Sequence, residues 1–252
     1  MQRTAKQLLY SGFFIFVFAL LGFALFALVR SAPSCFDGKK NQEEVGVDCG
    51  APCALSCAAR EAKPIQLSGT PRLFRAGSGR STLIIGVQNP NPELAAPEFS
   101  YRIDLYGEAG TLLRSLVGRS FLYAGEFKYL FFSDVSFAPG EVARVAFIPE
   151  VPEWSPADAF PRPRVTLQNR EETSTEEGIR ISGVIANGDS VAVARVQIVA
   201  VFFGKFGQMV GASATEMDGL APGEARSFLI SHPPLSDLDL AATSLFLFSR
   251  RP

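Results

Sequence analysis

Four cysteines, Cys35, Cys49, Cys53 and Cys57, stand within the 23-residue stretch CFDGKKNQEEVGVDCGAPCALSC, and the remainder of the 252-residue chain has none. Their spacing, C-x13-C-x3-C-x3-C, admits three chemistries. Structural zinc sites use C-x2–4-C pairs in two knuckles, and here the first cysteine stands alone. A redox pair needs C-x-x-C, which is absent. Two disulfides are the default in an oxidising compartment, with three pairings that spacing does not rank. A segment this short buries no useful core, so covalent bridges supply the order that packing cannot. The loop between the first two cysteines adds oxygen donors. Asp37, Asn41, Glu44 and Asp48 form a candidate calcium shell of carboxylate and amide oxygens, with Gly38 and Gly46 available for tight turns. Their spacing is not that of an EF-hand, and a solvated acidic loop with an Asp-Gly turn is the plainer reading.

Which chemistry applies depends on the compartment, and the element that sets the compartment comes first in the chain. LLYSGFFIFVFALLGFALFALV (residues 8–29) has 22 residues without a charge. As a helix it reaches about 33 Å, the thickness of a bilayer core. A cleaved signal peptide would have a shorter apolar region and a small-x-small site, whereas Val29-Arg30-Ser31 follows here. Ala32-Pro33-Ser34 before Cys35 is a weak lipidation signal. An uncleaved membrane anchor is expected. Arg3 and Lys6 before the span nearly balance Arg30, Lys39 and Lys40 after it. The clustered cysteines favour placing residues 31–252 outside the cytoplasm.

Other chemistry is sparse. Formal net charge is −1, from 24 basic and 25 acidic residues, and no Lys/Arg run exceeds two, so no nucleic-acid partner is expected. The one histidine, His232, lies in Ser231-His-Pro-Pro and reads as a loop-packing residue. No G-x-S-x-G, H-E-x-x-H or phosphate-binding glycine loop occurs. Glu171-Glu172 and Glu176-Glu177 read as a solvated loop. The chain is not expected to be an enzyme.

After Cys57 a short helical stretch to Lys63 leads into alternating, glycine- and proline-punctuated sequence. In residues 99–105 Phe99, Tyr101, Ile103 and Leu105 alternate with polar positions. In residues 196–202 Val196, Ile198, Ala200 and Phe202 occupy one face. These runs are offset by 97 residues, as are Gly86-Val87 and Gly183-Val184, and Tyr106-Gly107 and Phe203-Gly204. Leu122-Tyr-Ala-Gly-Glu126 and Asn89 fall on Leu220-Ala-Pro-Gly-Glu224 and Asn187 at an offset of 98. A near-constant offset over several landmarks reads as an internal duplication. The identity of Ala138-Pro-Gly-Glu141 with Ala221-Pro-Gly-Glu224 breaks that register and reads as a recurring turn. Five prolines in residues 149–163 predict a stiff connector with little room for pairing. The lone Trp154 is expected to pack near the domain junction. Tyr129-Leu-Phe-Phe132 has no polar face: it is either a strand buried on both sides or a contact surface between domains or partners.

Two families are resembled. The segment from Cys35 to Cys53 resembles the C-x-D-G-x-x-N-x-x-E-x-x-x-D-C-G-x-x-C modules of bacterial surface proteins, with Ala51 where a second glycine is common. That resemblance implies an extracytoplasmic segment and leaves calcium open. Residues 65–252 resemble FxLYD-type domains, relatives of the late-embryogenesis-abundant type 2 group, through Gly-x-(x)-x-Asn, an alternating strand and an L-x-x-G-E turn. The first copy reads Ile103-Asp-Leu-Tyr-Gly107 and the second Ala200-Val-Phe-Phe-Gly204. The resemblance implies immunoglobulin-like sandwiches and no activity. The expected chain is all-β. Residues 1–30 form the cytoplasmic N-terminus and transmembrane helix, 31–63 a Cys-rich module, 64–150 a first β-sandwich, 151–164 a linker and 165–252 a second β-sandwich. The expected role is a membrane-anchored scaffold, adhesion or assembly protein of the cell envelope with a protein partner. The alternative is a calcium-dependent surface module whose Cys-rich segment is a metal-stabilised spacer.

Overall fold

A computed structural model describes residues 3–29, 34–53, 56–77 and 80–252. The chain divides into two compact units, Met1–Arg60 and Glu61–Pro252. The sequence weighed above for cleavage and lipidation, residues 30–33, lies outside the described residues.

The first unit contains α1 (Arg3–Val29) and the short α2 (Cys57–Arg60). Over Leu9–Phe26 nothing in α1 is buried, and Phe13, Phe16, Phe18 and Phe23 all stand exposed. By length and composition this helix is apolar enough to cross a membrane.

The strands of the second unit all pair antiparallel among the described residues. Its strands are β1 (Gln66–Leu67), β2 (Arg72–Gly77), β3 (Arg80–Gln88), β4 (Leu94–Tyr106), β5 (Leu112–Leu122), β6 (Phe127–Val135) and β7 (Arg144–Pro149). After these come β8 (Ser155–Pro156), β9 (Val165–Thr175), β10 (Gly178–Asn187), β11 (Val193–Gly204), β12 (Met209–Leu220), β13 (Ala225–His232) and β14 (Leu238–Arg250). Four sheets result. β3 pairs with β1, β2 and β6, while β4 pairs with β5, β7 and the two-residue β8. β10 lies between β9 and β13, and β11 between β12 and β14. The pairing of β2 to β7 thus recurs, strand for strand, in β9 to β14.

The apolar side chains show how the sheets stack. Leu83, Ile85 and Val87 of β3 meet Phe99, Tyr101, Ile103 and Leu105 of β4 in one core. Ile179, Ile181 and Ile185 of β10 meet Val196, Ile198, Ala200 and Phe202 of β11 in a second. A third cluster joins the opposite faces: Ile84, Phe74, Tyr129 and Phe131 against Val199, Val201, Ala212, Phe246 and Phe248. The unit is therefore a stack of four sheets with three apolar seams. At about 1.5–3 kcal/mol per large buried side chain, the middle seam contributes on the order of 10 kcal/mol. That is enough to hold the halves together as one body rather than let them swing.

The run Tyr129-Leu-Phe-Phe132 finds its explanation here. Leu130 and Phe132 point into the first core and Tyr129 and Phe131 into the middle seam, so the strand is buried on both sides. Trp154 packs against the first core. The proline-rich connector departs from expectation in one respect. Ser155 and Pro156 pair with Ala95 and Leu94, and Phe160 stacks on Tyr123 with ring centroids 4.7 Å apart. Its prolines restrict the chain without preventing a two-residue bridge on the sheet edge.

Candidate functional site

The cysteines form two interleaved disulfides, Cys35–Cys53 and Cys49–Cys57, and none is free. Gly46 sits against both sulfurs of the second bridge. A Cβ there would lie 2.8 Å from Cys49 Sγ and 2.9 Å from Cys57 Sγ. The four residues of the candidate calcium shell are interlaced. Asn41 Nδ2 donates to Asp37 Oδ2 at 2.8 Å. The Asp48 carboxylate accepts the backbone N–H of Asp37 and of Gly38. Glu44, 3 % exposed, accepts the backbone N–H of Asn41 and of Asp48. The Asn41 amide and the Lys39 N–H hold the Asp37 carboxyl below its ordinary range. Each carboxylate thus staples backbone donors in a loop too short for regular structure. Within this network Asn41 Oδ1 is buried with no hydrogen-bond partner among the described residues. Cys35, Glu44 and Cys53 also converge, but both sulfurs are spent in a bridge and offer no thiolate.

The landmarks at offset 98 are hydrogen-bonding brackets. Asn89 Nδ2 donates to the carbonyls of Leu94 and Tyr123, at 2.6 and 2.9 Å. Asn187 Nδ2 donates to those of Val191, Leu220 and Ala221, at 3.0, 3.0 and 3.1 Å. Glu126 closes its turn by accepting the Tyr123 N–H, and Glu224 accepts that of Ala221. The asparagines at the ends of β3 and β10 are therefore buried ties between sheets, which explains the motif residue by residue. The two glutamates differ in setting. Burial between the halves pushes the Glu126 carboxyl up. On the open rim, the Ala221 N–H and Arg226 pull the Glu224 carboxyl down. Ala138 to Glu141 repeats the same local turn, with the Ala138 N–H donating to Glu141.

His232 ends β13. Its ring lies 4.8 Å from that of Phe202, its Nδ1 faces the Pro233 carbonyl at 2.7 Å, and burial pushes its pKa down. The acidic run read above as a loop is instead the β9–β10 hairpin: Thr175 pairs with Gly178, and Glu171 and Glu172 lie in β9.

Sequence reasoning passed over a cleft between the first and second halves. This cavity, of about 420 Å3, is lined by Phe121, Lys128, Arg195, Glu216, Phe248 and Arg250, among others. Lys128 is 4 % exposed. Its Nζ stands 3.3 Å from the centroid of the Phe121 ring and donates a long 3.4 Å bond to the Phe121 carbonyl. Burial lowers its pKa to about 7, against the opposing pull of Glu126. The available signal was parity: Lys128 shares a strand face with Leu130 and Phe132, both in the first core.

No protein-family model matches the chain, and no curated protein does. Among solved structures, red sea bream transglutaminase aligns at 15 % identity and a TM-score of 0.21, over 77 % of this chain and 32 % of that one. The tandem CBM22-1–CBM22-2 domain of Paenibacillus barcinonensis Xyn10C aligns at 10 % identity and a TM-score of 0.12, over 76 % and 87 %. The chain spans about a third of the transglutaminase, and at these scores neither likeness bears on function.

Proposed function

We propose that the protein is a membrane-anchored scaffold or assembly component of a cell envelope, with α1 crossing the bilayer and residues 31–252 on the extracytoplasmic side. The observation that carries this reading is α1, apolar and uncovered over Leu9–Phe26. The two disulfides support the side assignment, because such bridges persist in oxidising compartments. The recurring strand pairing and the paired asparagine brackets support a duplicated, immunoglobulin-like unit of the FxLYD type.

A protein partner is proposed to add a strand at β5. Among the described residues β5 pairs with β4 alone, and Val117 on it is 78 % exposed. An edge of this kind is a template for β-augmentation. The opposite outer edge, β9, carries Arg170, Glu171 and Glu172 and a register shift beside Ser182, devices that discourage added strands. The calcium-dependent alternative draws on the unpaired Asn41 Oδ1 beside three carboxylates.

The test is protease shaving of intact cells or spheroplasts, followed by mass analysis of the released fragment with and without reduction. Release of residues beyond α1, heavier by four hydrogen atoms after reduction of the two disulfides, is the expected result. A protected fragment with four free thiols would overturn the topology. Calcium titration of the same fragment decides between the spacer readings.

A further inference from the structure

The cleft at Lys128 has an uneven charge balance. Each guanidinium on its wall already has a carboxylate. Arg119 and Arg250 share Glu98, at 3.5 and 3.7 Å. Arg195 pairs with Asp218 at 2.9 Å and Glu216 at 3.8 Å, and Arg251 with Asp189 at 3.1 Å. Lys128 is the exception: among the described residues no carboxylate oxygen lies within ion-pairing distance of its Nζ. The nearby Glu126 carboxylate is committed to Arg162 and to the Tyr123 N–H. A buried ammonium with one long hydrogen bond and one ring contact still lacks a countercharge, an arrangement that is costly unless a partner arrives. Beside it are two aromatic rings, Phe121 at 3.3 Å and Phe248 at 5.7 Å from Nζ.

We propose that this cleft binds a small organic carboxylate, the acid pairing with the Lys128 ammonium and an apolar group lying against Phe121 and Phe248. Basic side chains crowd the opening, and the aromatic walls reject a bare inorganic anion in favour of one with an apolar body. The carboxylate has two sources, a free acid or the C-terminus of a peptide, and both present the same group. This inference stands apart from the scaffold reading and from the β5 edge. Binding is coupled to a proton. Lys128 is largely neutral at pH 8, since burial holds its pKa near 7. A carboxylate entering beside Nζ draws one proton from solvent onto it; the other charged groups around it are Glu126, Glu216 and the four arginines of the wall.

The experiment is calorimetric titration of the full chain in lipid nanodiscs, disulfides intact, at pH 8 and low ionic strength. The probes are benzoate, its neutral isostere benzamide, and N-acetylphenylalanine as a peptide-terminus mimic. Two buffers of different ionisation enthalpy report proton uptake. Saturable binding of benzoate or N-acetylphenylalanine is expected, with uptake approaching one proton per ligand and benzamide at least tenfold weaker. Preference for one acid or the other identifies the source. Lys128→Met should weaken carboxylate binding at least tenfold and abolish the uptake, with its melting curve showing that it is folded. If that variant does not fold, uptake by the wild-type protein still decides. Equal binding of benzoate and benzamide, binding without proton uptake, no binding of either acid, or wild-type affinity in a folded Lys128→Met would each overturn the proposal.

Discussion

Replacing Lys128 by methionine keeps the length of the side chain and removes its charge, which isolates the electrostatic cost of burying it. The folded-state pKa is about 7, against an ordinary 10.5. Between those two values the unfolded chain binds more protons at this position than the folded one, so stability rises as pH rises through that window and falls again towards pH 7. Each pH unit well inside the window is worth about 1.4 kcal/mol. From pH 7 to pH 9 the wild-type protein is expected to gain about 2–3 kcal/mol from this residue, less than the full slope because titration is half complete at pH 7. Thermal unfolding followed by Trp154 fluorescence converts this to a rise of roughly 5–10 °C for a unit of this size. Lys128→Met should lack that rise and melt higher than wild type at pH 7. Subtracting its curve from the wild-type one removes titrations that the two share. Stopping below pH 10 avoids Tyr101, Tyr123 and Tyr129, whose pKa values burial pushes above the ordinary value, that of Tyr123 to about 12. The Phe121 ring and carbonyl stabilise the charged form, and their contribution is already contained in the pKa. Parallel melting-temperature profiles for the two proteins from pH 7 to pH 9 would refute the argument.

Asn187→Ala removes a buried amide that satisfies three carbonyls and should cost about 2–4 kcal/mol, read as a lower melting temperature. Asn89→Ala should do the same in the first half. Gly46→Ala places a methyl within 2.8 Å of Cys49 Sγ, so free thiols should become titratable in the unreduced protein. Reduction of Cys35–Cys53, which closes a loop with separation 18, should release about 3 kcal/mol of order. Hydrogen exchange should rise in residues 34–60 and stay unchanged beyond residue 61. Phe246→Asp puts a charge beside Tyr129, whose ring centroid is 4.9 Å away. It should open the middle seam, and small-angle scattering should show a larger radius of gyration with both halves still β-structured.

How far the sequence reaches can be judged strand by strand. The alternation in β4 and β11 put Phe99, Tyr101, Ile103 and Leu105, and Val196, Ile198, Ala200 and Phe202, on one face of each strand, and those faces line the two cores. Burial on one face writes itself as a period of two. Ile84, Val199 and Val201 face the middle seam instead. Where both faces are covered the period disappears, and an apolar run no longer says what covers it. The cysteine pairing was open because sequence distance does not fix which Cα atoms approach. The tying role of Asn89 and Asn187 was hidden, since it depends on carbonyls up to 34 positions away. The partners of Lys128 were similarly hidden. Its cleft is assembled from β5, β6, β11, β12 and β14, which only the stack of sheets brings together.

The middle seam also imposes an order in time. β3 and β6 complete the first core with the strands before Pro149, yet Ile84, Tyr129 and Phe131 on their other face wait for Phe246 and Phe248. Those rings lie about a hundred residues further along the chain. At roughly 5–20 residues per second of synthesis, the uncovered face persists for about 5–20 s. A half-made chain therefore presents, for seconds, an apolar sheet surface that the finished one hides. The molecule's exposure to aggregation is governed by the interval between making a surface and making its cover, so a pause after β8 should lower yield more than a pause after β14.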